Sequence, residues 1–173
     1  MTRERDRRRV RAGTIDDVPF LRAMLYEAAL WDPARARLDL DEVLADPHLA
    51  RYIDNWGRPG DTAVIAVDSG SRAVGAAWYR LFDAAAPGYG FIDAATPELS
   101  IGVVPEQRGA GAGSALLTAL IATARAEGFP ALSLSVERSN PAARLYARHG
   151  FTALATNGDA WTMRLQIPRL PDP

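Results

Sequence analysis

Residues 98–117 read Glu-Leu-Ser-Ile-Gly-Val-Val-Pro-Glu-Gln-Arg-Gly-Ala-Gly-Ala-Gly-Ser-Ala-Leu-Leu. The apolar run at 99–104 predicts a β-strand, and the apolar spacing at the end of the stretch begins a predicted helix. Between them, Gly109, Gly111 and Gly113 lack a Cβ, so their backbone N–H groups can turn toward one point. These amides would lie at a helix N-terminus, where free donors and the positive end of the helix dipole favour a phosphate. The segment therefore predicts a cradle for a diphosphate.

The residues around the glycines separate the families that use such a cradle. A P-loop closes its turn with Gly-Lys-Ser/Thr, but here Ser114 follows the last glycine directly. A dinucleotide-binding turn has a glycine at the third fingerprint position, where this chain has that same Ser114. The third pattern, Arg/Gln-x-x-Gly-x-Gly/Ala after an apolar strand and Val-x-Pro, fits residues 103–113. It resembles the acyl-CoA-binding motif of the GNAT superfamily of N-acetyltransferases; the alternative is a glycine-rich loop that only turns the chain.

A second motif follows at residues 140–151, Asn-Pro-Ala-Ala-Arg-Leu-Tyr-Ala-Arg-His-Gly-Phe. Asn140 can cap the predicted helix, and Pro141 suits its first position. Tyr146 falls among apolar residues, where a tyrosine is commonly part of the core. The pattern Asn-x-x-Ala-x-x-Leu-Tyr-x-x-x-Gly-Phe is nevertheless similar to the other signature of the GNAT superfamily. The cap and core roles remain the alternatives for these two residues.

The resemblance implies roles for individual residues. Asn140 would approach the pantetheine arm, and the Tyr146 hydroxyl would face the thioester sulfur. Glu98, at the start of the predicted strand, would be the general base; its alternative is a solvated acid at a strand end. The residues that would bind coenzyme A are Ile101, Gly102, Val103, Arg108, Gly109, Ala110, Gly111, Ala112, Gly113, Ser114 and Asn140.

The chemistry of acyl transfer to an amine asks for these residue types. An alkylammonium has a pKa of ~10 and must lose a proton before it attacks, which a carboxylate with a raised pKa can accept through water. A strand amide near 101–103 could donate to the oxyanion. Tyrosine, with a pKa of ~10, keeps its proton at neutral pH and can give it to the leaving thiolate. The chain has no cysteine to carry an acyl group, which agrees with direct transfer in a ternary complex.

The predicted element order is β-α-α-β-β-β-α-β-α-β-β, which is the order of the GNAT fold. The resemblance implies an α/β (α+β) fold whose mixed central sheet of about seven strands is flanked by about four helices. We expect one domain at 9–168, a flexible basic tail at 1–8 and a proline-rich tail at 169–173.

Composition excludes several classes of protein. The chain has 173 residues, 48% of them hydrophobic, with a net charge of −1, so it has no electrostatic case for binding nucleic acid. No apolar run approaches the ~20 residues of a membrane span, and no signal-peptide pattern opens the chain, so we expect a cytoplasmic protein. No residue spacing suggests a metal site, and none is expected. All 20 lysine or arginine positions are arginine, a bias in composition that is typical of proteins from GC-rich bacterial genomes.

The acceptor is the least determined part of this prediction. A small-molecule amine or a peptide N-terminus is expected, and the sequence leaves a homodimer open. Three alternatives remain: a non-catalytic acyl-CoA-binding or regulatory module, a longer acyl donor, and a hydroxyl acceptor. Candidate residues for the acceptor site are the aromatic and acidic residues Tyr26, Glu27, Trp31, Asp32, Tyr52, Trp56, Tyr79 and Tyr89.

Overall fold

The computed structural model describes residues 9–168, so both predicted tails lie outside the described residues. These residues form seven strands and five α-helices. In order they are β1 (Arg9–Ala12), α1 (Val18–Ala29), α2 (Leu40–Leu44), α3 (Pro47–Ala50), β2 (Thr62–Val67), β3 (Ala73–Arg80), β4 (Glu98–Val103), α4 (Ala112–Ala126), β5 (Ala131–Glu137), α5 (Ala142–Arg148), β6 (Thr152–Asn157) and β7 (Ala160–Gln166).

All seven strands form one mixed sheet in the order β1-β2-β3-β4-β5-β7-β6. Strand β4 pairs with β3 along its whole length, in antiparallel register. It pairs with β5 in parallel, and the register of that pair is confined to Glu98 and Ser133. Beyond this point the two strands separate, which divides the sheet into two halves. The predicted mixed seven-stranded sheet is therefore confirmed.

A hydrophobic core lies on each face of the sheet. Along β2, Val64 and Ala66 belong to one core, and Ala63, Ile65 and Val67 belong to the other. This alternation is what the two-residue period of a strand produces when both faces are covered. Helices α4 and α5 contribute to the first core and α1 to the second. The near-continuous apolar sequence of β2 follows from this double burial.

Helix α1 packs so closely on β4 that only glycine fits at one position of the strand. A Cβ built at Gly102 would lie 2.3 Å from the carbonyl oxygen of Met24 in α1. Gly102 was predicted to bind coenzyme A, and the structure gives it this packing role as well. The contact fixes α1 against the strand that leads into the glycine-rich turn.

The helical region before β2 differs from its prediction. The sequence predicts helical segments at 38–45 and 48–56, and the structure has two short helices, α2 and α3, so the helices number five. Asp39 and Asp46 are their N-caps, because the two side chains accept hydrogen bonds from the N–H groups of Asp41 and His48. Turn hydrogen bonds continue beyond α3 to Asp54, and the carbonyl groups of Arg51 and Asp54 accept hydrogen bonds from a β3 side chain.

Thr14, which precedes two acids and an apolar run, is a predicted N-cap of α1, but it caps a 3-10 turn at Ile15–Asp17 that precedes the helix. Asp17 accepts hydrogen bonds from the N–H of Thr14 at 2.8 Å and from the Arg11 guanidinium at 2.7 Å and 2.8 Å. These bonds hold the pKa of Asp17 down, at about 2.

Over residues 9–168, none of the helices has the length and apolar character that crossing a bilayer requires.

Candidate active site

A cavity of about 1130 Å³ opens where β4 and β5 separate. It is lined by most of the residues that the sequence predicts for the site, together with parts of α1 and of the β6–β7 hairpin. Ala110 and Ala112 are absent from its lining; Ala110 is exposed, and the Ala112 side chain is buried in the protein. The predicted site residues that line the cavity are Glu98, Ile101, Gly102, Val103, Arg108, Gly109, Gly111, Gly113, Ser114, Asn140 and Tyr146.

The glycine-rich turn has the left-handed backbone that its sequence allows. Gly109 has φ +72° and Gly111 has φ +90°, and a Cβ at either position would meet no atom within 4 Å. Glycine is therefore required there for the backbone conformation, while space is available. The N–H of Ala115 donates to the Gly111 oxygen at 3.1 Å, as the fourth residue of α4. The N–H groups of residues 112–114 come before this first hydrogen bond of the helix, so they can donate hydrogen bonds to an anion.

Arg108 ties the turn to its neighbours. Its Nε donates to the Val103 oxygen at 3.2 Å, and its Nη2 donates to Glu27 Oε2 at 2.9 Å. Glu27, on α1, also accepts a hydrogen bond from Arg37 Nη2 at 2.8 Å. The charge of Arg108 is thus shared with an acid, and its side chain holds the turn against β4 and α1.

Glu98 is a buried carboxylate with two unlike oxygens. Its side chain is 3% exposed, and Oε1 accepts hydrogen bonds from the Tyr52 hydroxyl at 2.5 Å and the Gly90 N–H at 2.8 Å. Within residues 9–168, Oε2 has no hydrogen-bond partner. Burial raises the pKa of Glu98 to about 7, against the opposing effect of the two hydrogen bonds. The carboxyl group can therefore gain and lose a proton near neutral pH.

Two glycines of the loop before β4, which the sequence analysis did not single out, enclose this carboxylate. A Cβ at Gly88 would lie 2.0 Å from Glu98 Oε2, and one at Gly90 would lie 2.4 Å from the backbone carbon of Leu134 on β5. Both positions need glycine for the loop to reach the acid. The signal in the sequence is the Gly-Tyr-Gly run at 88–90, a few residues before the buried Glu98.

Tyr146 lies on α5 and lines the cavity. It is 7% exposed and packs edge to face on Phe151, with ring centroids 6.0 Å apart. Burial raises the pKa of its hydroxyl above the ordinary value for tyrosine. The phenol therefore keeps its proton at neutral pH.

Asn140 has its predicted capping role and lies at the cavity. Its Oδ1 accepts the N–H of Ala142, the first residue of α5, at 2.9 Å, so the side chain caps the helix. Asn140 also lines the cavity. With Oδ1 used for the cap, Nδ2 is the donor that the residue can present to a ligand.

Half of the candidate acceptor residues line this cavity: Glu27, Trp31, Tyr52 and Tyr89. The other candidates, Tyr26, Asp32, Trp56 and Tyr79, are not part of its lining. Tyr79, for example, donates to Glu127 at 2.5 Å on another part of the molecule.

The sequence analysis missed a contribution from the far side of the cavity. Glu137, at the end of β5, lines it and accepts two hydrogen bonds from Arg35, at 3.0 Å and 2.5 Å. This ion pair connects the segment after α1 to β5.

Across residues 9–168, no three His, Asp or Glu side chains are grouped in a way that could hold a metal ion.

Solved structures with a similar fold include a ribosomal-protein-alanine N-acetyltransferase from Brucella melitensis. It is 26% identical to this chain, with a TM-score of 0.65, and the match covers 92% of this chain and 99% of that one. A phosphinothricin acetyltransferase from Sinorhizobium meliloti, solved with acetyl-CoA, is 22% identical, with a TM-score of 0.63 and coverage of 92% and 88%. These matches extend over almost all of the described chain.

Among proteins compared by sequence, the mycothiol acetyltransferase of Arthrobacter sp. (strain FB24) is 36% identical over 104 residues. The match covers 60% of this chain and 31% of that relative, so the chain matches about a third of the relative's length. The family model described as "Acetyltransferase (GNAT) family" matches residues 24–151. These residues include both sequence motifs and most of the cavity lining, and the chain belongs to the GNAT family of acetyltransferases.

Proposed function

We propose that this protein is an N-acetyltransferase that moves the acetyl group of acetyl-CoA onto a primary amine of a small molecule or a peptide N-terminus. One observation carries the proposal: a single cavity collects the glycine-rich turn, the buried acid Glu98 and the protonated phenol Tyr146. Anion binding, proton removal and protonation of a leaving group are the three tasks of such a transfer.

The donor would be held mainly by backbone groups. The amides of residues 112–114 and the turn before them would bind the diphosphate of coenzyme A. Asn140, through Nδ2, and the open edge of β4 at 101–103 would hold the pantetheine arm, and a β4 amide would donate to the thioester oxygen. Arg108 would support the turn through its bonds to β4 and α1.

The reaction would be direct transfer within a ternary complex. The ammonium group of the acceptor loses a proton to Glu98 through water, and its nitrogen attacks the acetyl carbonyl carbon. The carbon–sulfur bond then breaks, and Tyr146 gives its proton to the leaving thiolate. The acylated nitrogen releases its remaining extra proton, which restores the Tyr146 hydroxyl through water. Because the pKa of Glu98 lies at about 7, the acid is partly ionised, and still basic, at neutral pH.

The similar proteins support this choice of acceptor and donor. One relative is called a mycothiol acetyltransferase, a name that refers to a small molecule. One structural neighbour is called a ribosomal-protein-alanine N-acetyltransferase, a name that refers to a protein acceptor. A third was solved with acetyl-CoA. These bacterial sources and the all-arginine basic residues support a bacterial origin, and use of acetyl-CoA supports action in the cytoplasm.

The test is an acceptor panel with acetyl-CoA, read by release of free thiol. It should contain small primary amines, peptides with different N-terminal residues, and alcohols of matched carbon skeleton. We expect thiol release that depends on an amine and that is lost in Glu98→Gln. Tyr79→Phe, which removes a buried hydroxyl outside the cavity, is the control and should match the unmodified protein.

Other outcomes would contradict the proposal in distinct ways. Binding of acetyl-CoA by calorimetry without turnover on any acceptor would indicate a non-catalytic acyl-CoA-binding module. Faster reaction with the alcohols would indicate transfer to oxygen, and faster reaction with a longer acyl-CoA would replace the acetyl donor.

A further inference from the structure

The hydroxyl of Tyr52 is committed to Glu98. It donates to Glu98 Oε1 at 2.5 Å, and its oxygen accepts the N–H of Tyr89 at 2.7 Å. A phenol has a single hydrogen, so the amide of Tyr89 occupies the acceptor side and the hydrogen is directed at the carboxylate. The arrangement has a defined direction from amide to phenol to acid.

Strand β3 holds Tyr52 in this position. Trp78 Nε1 donates to the Tyr52 carbonyl oxygen at 3.1 Å, and Arg80 Nη1 donates to the carbonyl oxygens of Arg51 at 2.7 Å and Asp54 at 2.8 Å. The guanidinium of Arg80 is itself paired with Asp61, and both side chains are 1% exposed. The backbone on either side of Tyr52 is thus fixed by buried side chains of one strand.

The remaining neighbours of Glu98 leave Tyr52 as the side chain that acts on it most directly. Arg51 lowers the pKa of Glu98 weakly through its charge, after the hydrogen bonds of Tyr52 and Gly90. On the adjacent strands, Arg80 lies opposite Glu98 in β3 but is neutralised by Asp61, and Ser133 lies opposite in β5 and carries no charge. The phenol of Tyr89 is stacked on the ring of Tyr52, with centroids 6.3 Å apart. His48 contacts the Arg51 guanidinium at 3.0 Å.

We propose that Tyr52 is a positioning residue for the Glu98 base, and that its hydroxyl fixes the carboxylate and favours the ionised form that accepts the proton. This inference rests on the proposed acetyl transfer, because it assigns a role to the base of that reaction. A hydrogen bond to a carboxylate stabilises the charged form, so its removal raises the pKa of the acid. Without Tyr52, a smaller fraction of Glu98 is ionised at neutral pH.

The first test is the pH dependence of kcat/KM in Tyr52→Phe. In the unmodified protein the acid limb should have its midpoint near pH 7, the pKa of Glu98. In the variant we expect the midpoint to rise by about one pH unit, which lowers kcat/KM about tenfold on the acid side, with rates at pH 9 within about twofold.

Tyr79→Phe is the matched control, because Tyr79 also donates to a glutamate at 2.5 Å but lies outside the cavity lining. Its profile should not move. An unchanged midpoint in a folded Tyr52→Phe protein, or an equal loss of rate at every pH, would overturn the inference.

A second measurement does not need an acceptor. Titration of the free protein by carbon-13 NMR, with labelled glutamate carboxyls and Glu98→Gln for assignment, should show the same upward shift of the Glu98 midpoint in Tyr52→Phe. Replacement of Tyr52 by 3,5-difluorotyrosine, a stronger hydrogen-bond donor, should shift it downward and covers the case in which the phenylalanine variant does not fold.

The two measurements separate the two proposals. Normal turnover with no NMR shift in either variant would remove the role of Tyr52 and keep the transferase. An NMR shift in a protein that acetylates no acceptor would remove the transferase, and with it the catalytic meaning of the contact.

Discussion

Tyr146 and Glu98 are both buried ionisable groups, and burial acts on them in the same direction. Desolvation favours the neutral form of each, so it keeps the proton on the phenol and raises the pKa of the carboxyl group to about 7. The Tyr146 phenol therefore stays protonated at neutral pH, whereas the Glu98 carboxylate can accept a proton there. In the proposed transfer, this effect keeps Tyr146 protonated until the thiolate leaves and lets Glu98 accept a proton near neutral pH.

Replacement of Tyr146 by phenylalanine should lower kcat while binding of coenzyme A is retained. Phenylalanine keeps the ring that packs on Phe151 and loses only the proton donor, and a general acid contributes about a hundredfold or more to the rate. We expect a fall of that size in thiol release, with the Kd for coenzyme A, measured by calorimetry, within about twofold. Equal rates in the two proteins would exclude Tyr146 as the acid.

The residue types of the site could be predicted from the sequence, but their surroundings could not. The motifs around Glu98 and Tyr146 indicated a base and an acid from the resemblance alone. The contact that tunes Glu98 comes from Tyr52, 46 residues away in the sequence. No local pattern marks that pairing, because it depends on how the segment after α3 is fixed by β3.

Among the elements, the turn into α4 was the most predictable from sequence. The apolar spacing predicts a helix from Ser114, and the helix begins two residues earlier, at Ala112. The spacing of glycines indicated both the turn and the helix after it. The physical reason is conformational, since Gly109 and Gly111 have positive φ with open space where a Cβ would lie. The short helices α2 and α3 were less predictable, because the segment after α3 gives two carbonyl groups to tertiary hydrogen bonds from Arg80.

Replacement of Gly111 by alanine should weaken binding of coenzyme A. Alanine at φ +90° is strained by about 1 kcal/mol, and the turn can relieve that strain by moving its amides away from the ligand. We expect the Kd for coenzyme A, measured by calorimetry, to rise several-fold.

Gly128 provides a matched control at the other end of the same helix. It has φ +81°, also with open space at the Cβ position, so Gly128→Ala should reduce stability by a similar amount and leave the Kd unchanged. An unchanged Kd in Gly111→Ala, or an equal rise in both variants, would contradict the role of the turn.

At the scale of the whole molecule, the buried carboxyl of Glu98 makes stability depend on pH. Its pKa is about 7 in the folded protein and 4.5 in its ordinary state, so the folded protein binds the proton more tightly. The free energy of unfolding should therefore be highest below pH 4.5 as far as this group is concerned, and should fall as the pH rises to about 7. The accumulated loss is roughly 3 kcal/mol, at about 1.4 kcal/mol for each pH unit.

The variant Glu98→Gln isolates this contribution. Urea denaturation of both proteins at pH 5 and pH 8 should show a smaller decrease in the free energy of unfolding for the variant, because all other titrating groups are shared. Parallel pH dependence in the two proteins would show that Glu98 is not held in a desolvated site.

The order of the elements was predictable from apolar spacing and turn residues, apart from the division into α2 and α3. The mixed sheet was predictable from the resemblance to the GNAT fold. The acceptor side of the cavity was not. It is assembled from α1, the loop at 88–90 and the β6–β7 hairpin, whose contacts join residues far apart in the chain. Half of the candidate aromatic and acidic residues proved to lie elsewhere for that reason.

The separation of β4 and β5 has a consequence for how such a chain can diverge. Past Glu98 and Ser133, each strand presents main-chain groups toward the other, and main-chain groups are the same whatever side chains are attached. A ligand gripped there constrains the backbone path and leaves most residue types free to vary. Substitutions around the cavity rim can therefore change the preference for the acceptor, while the main-chain contacts to the acyl donor are retained. The Brucella melitensis protein, 26% identical at a TM-score of 0.65, fits that division between a retained backbone and a changed sequence.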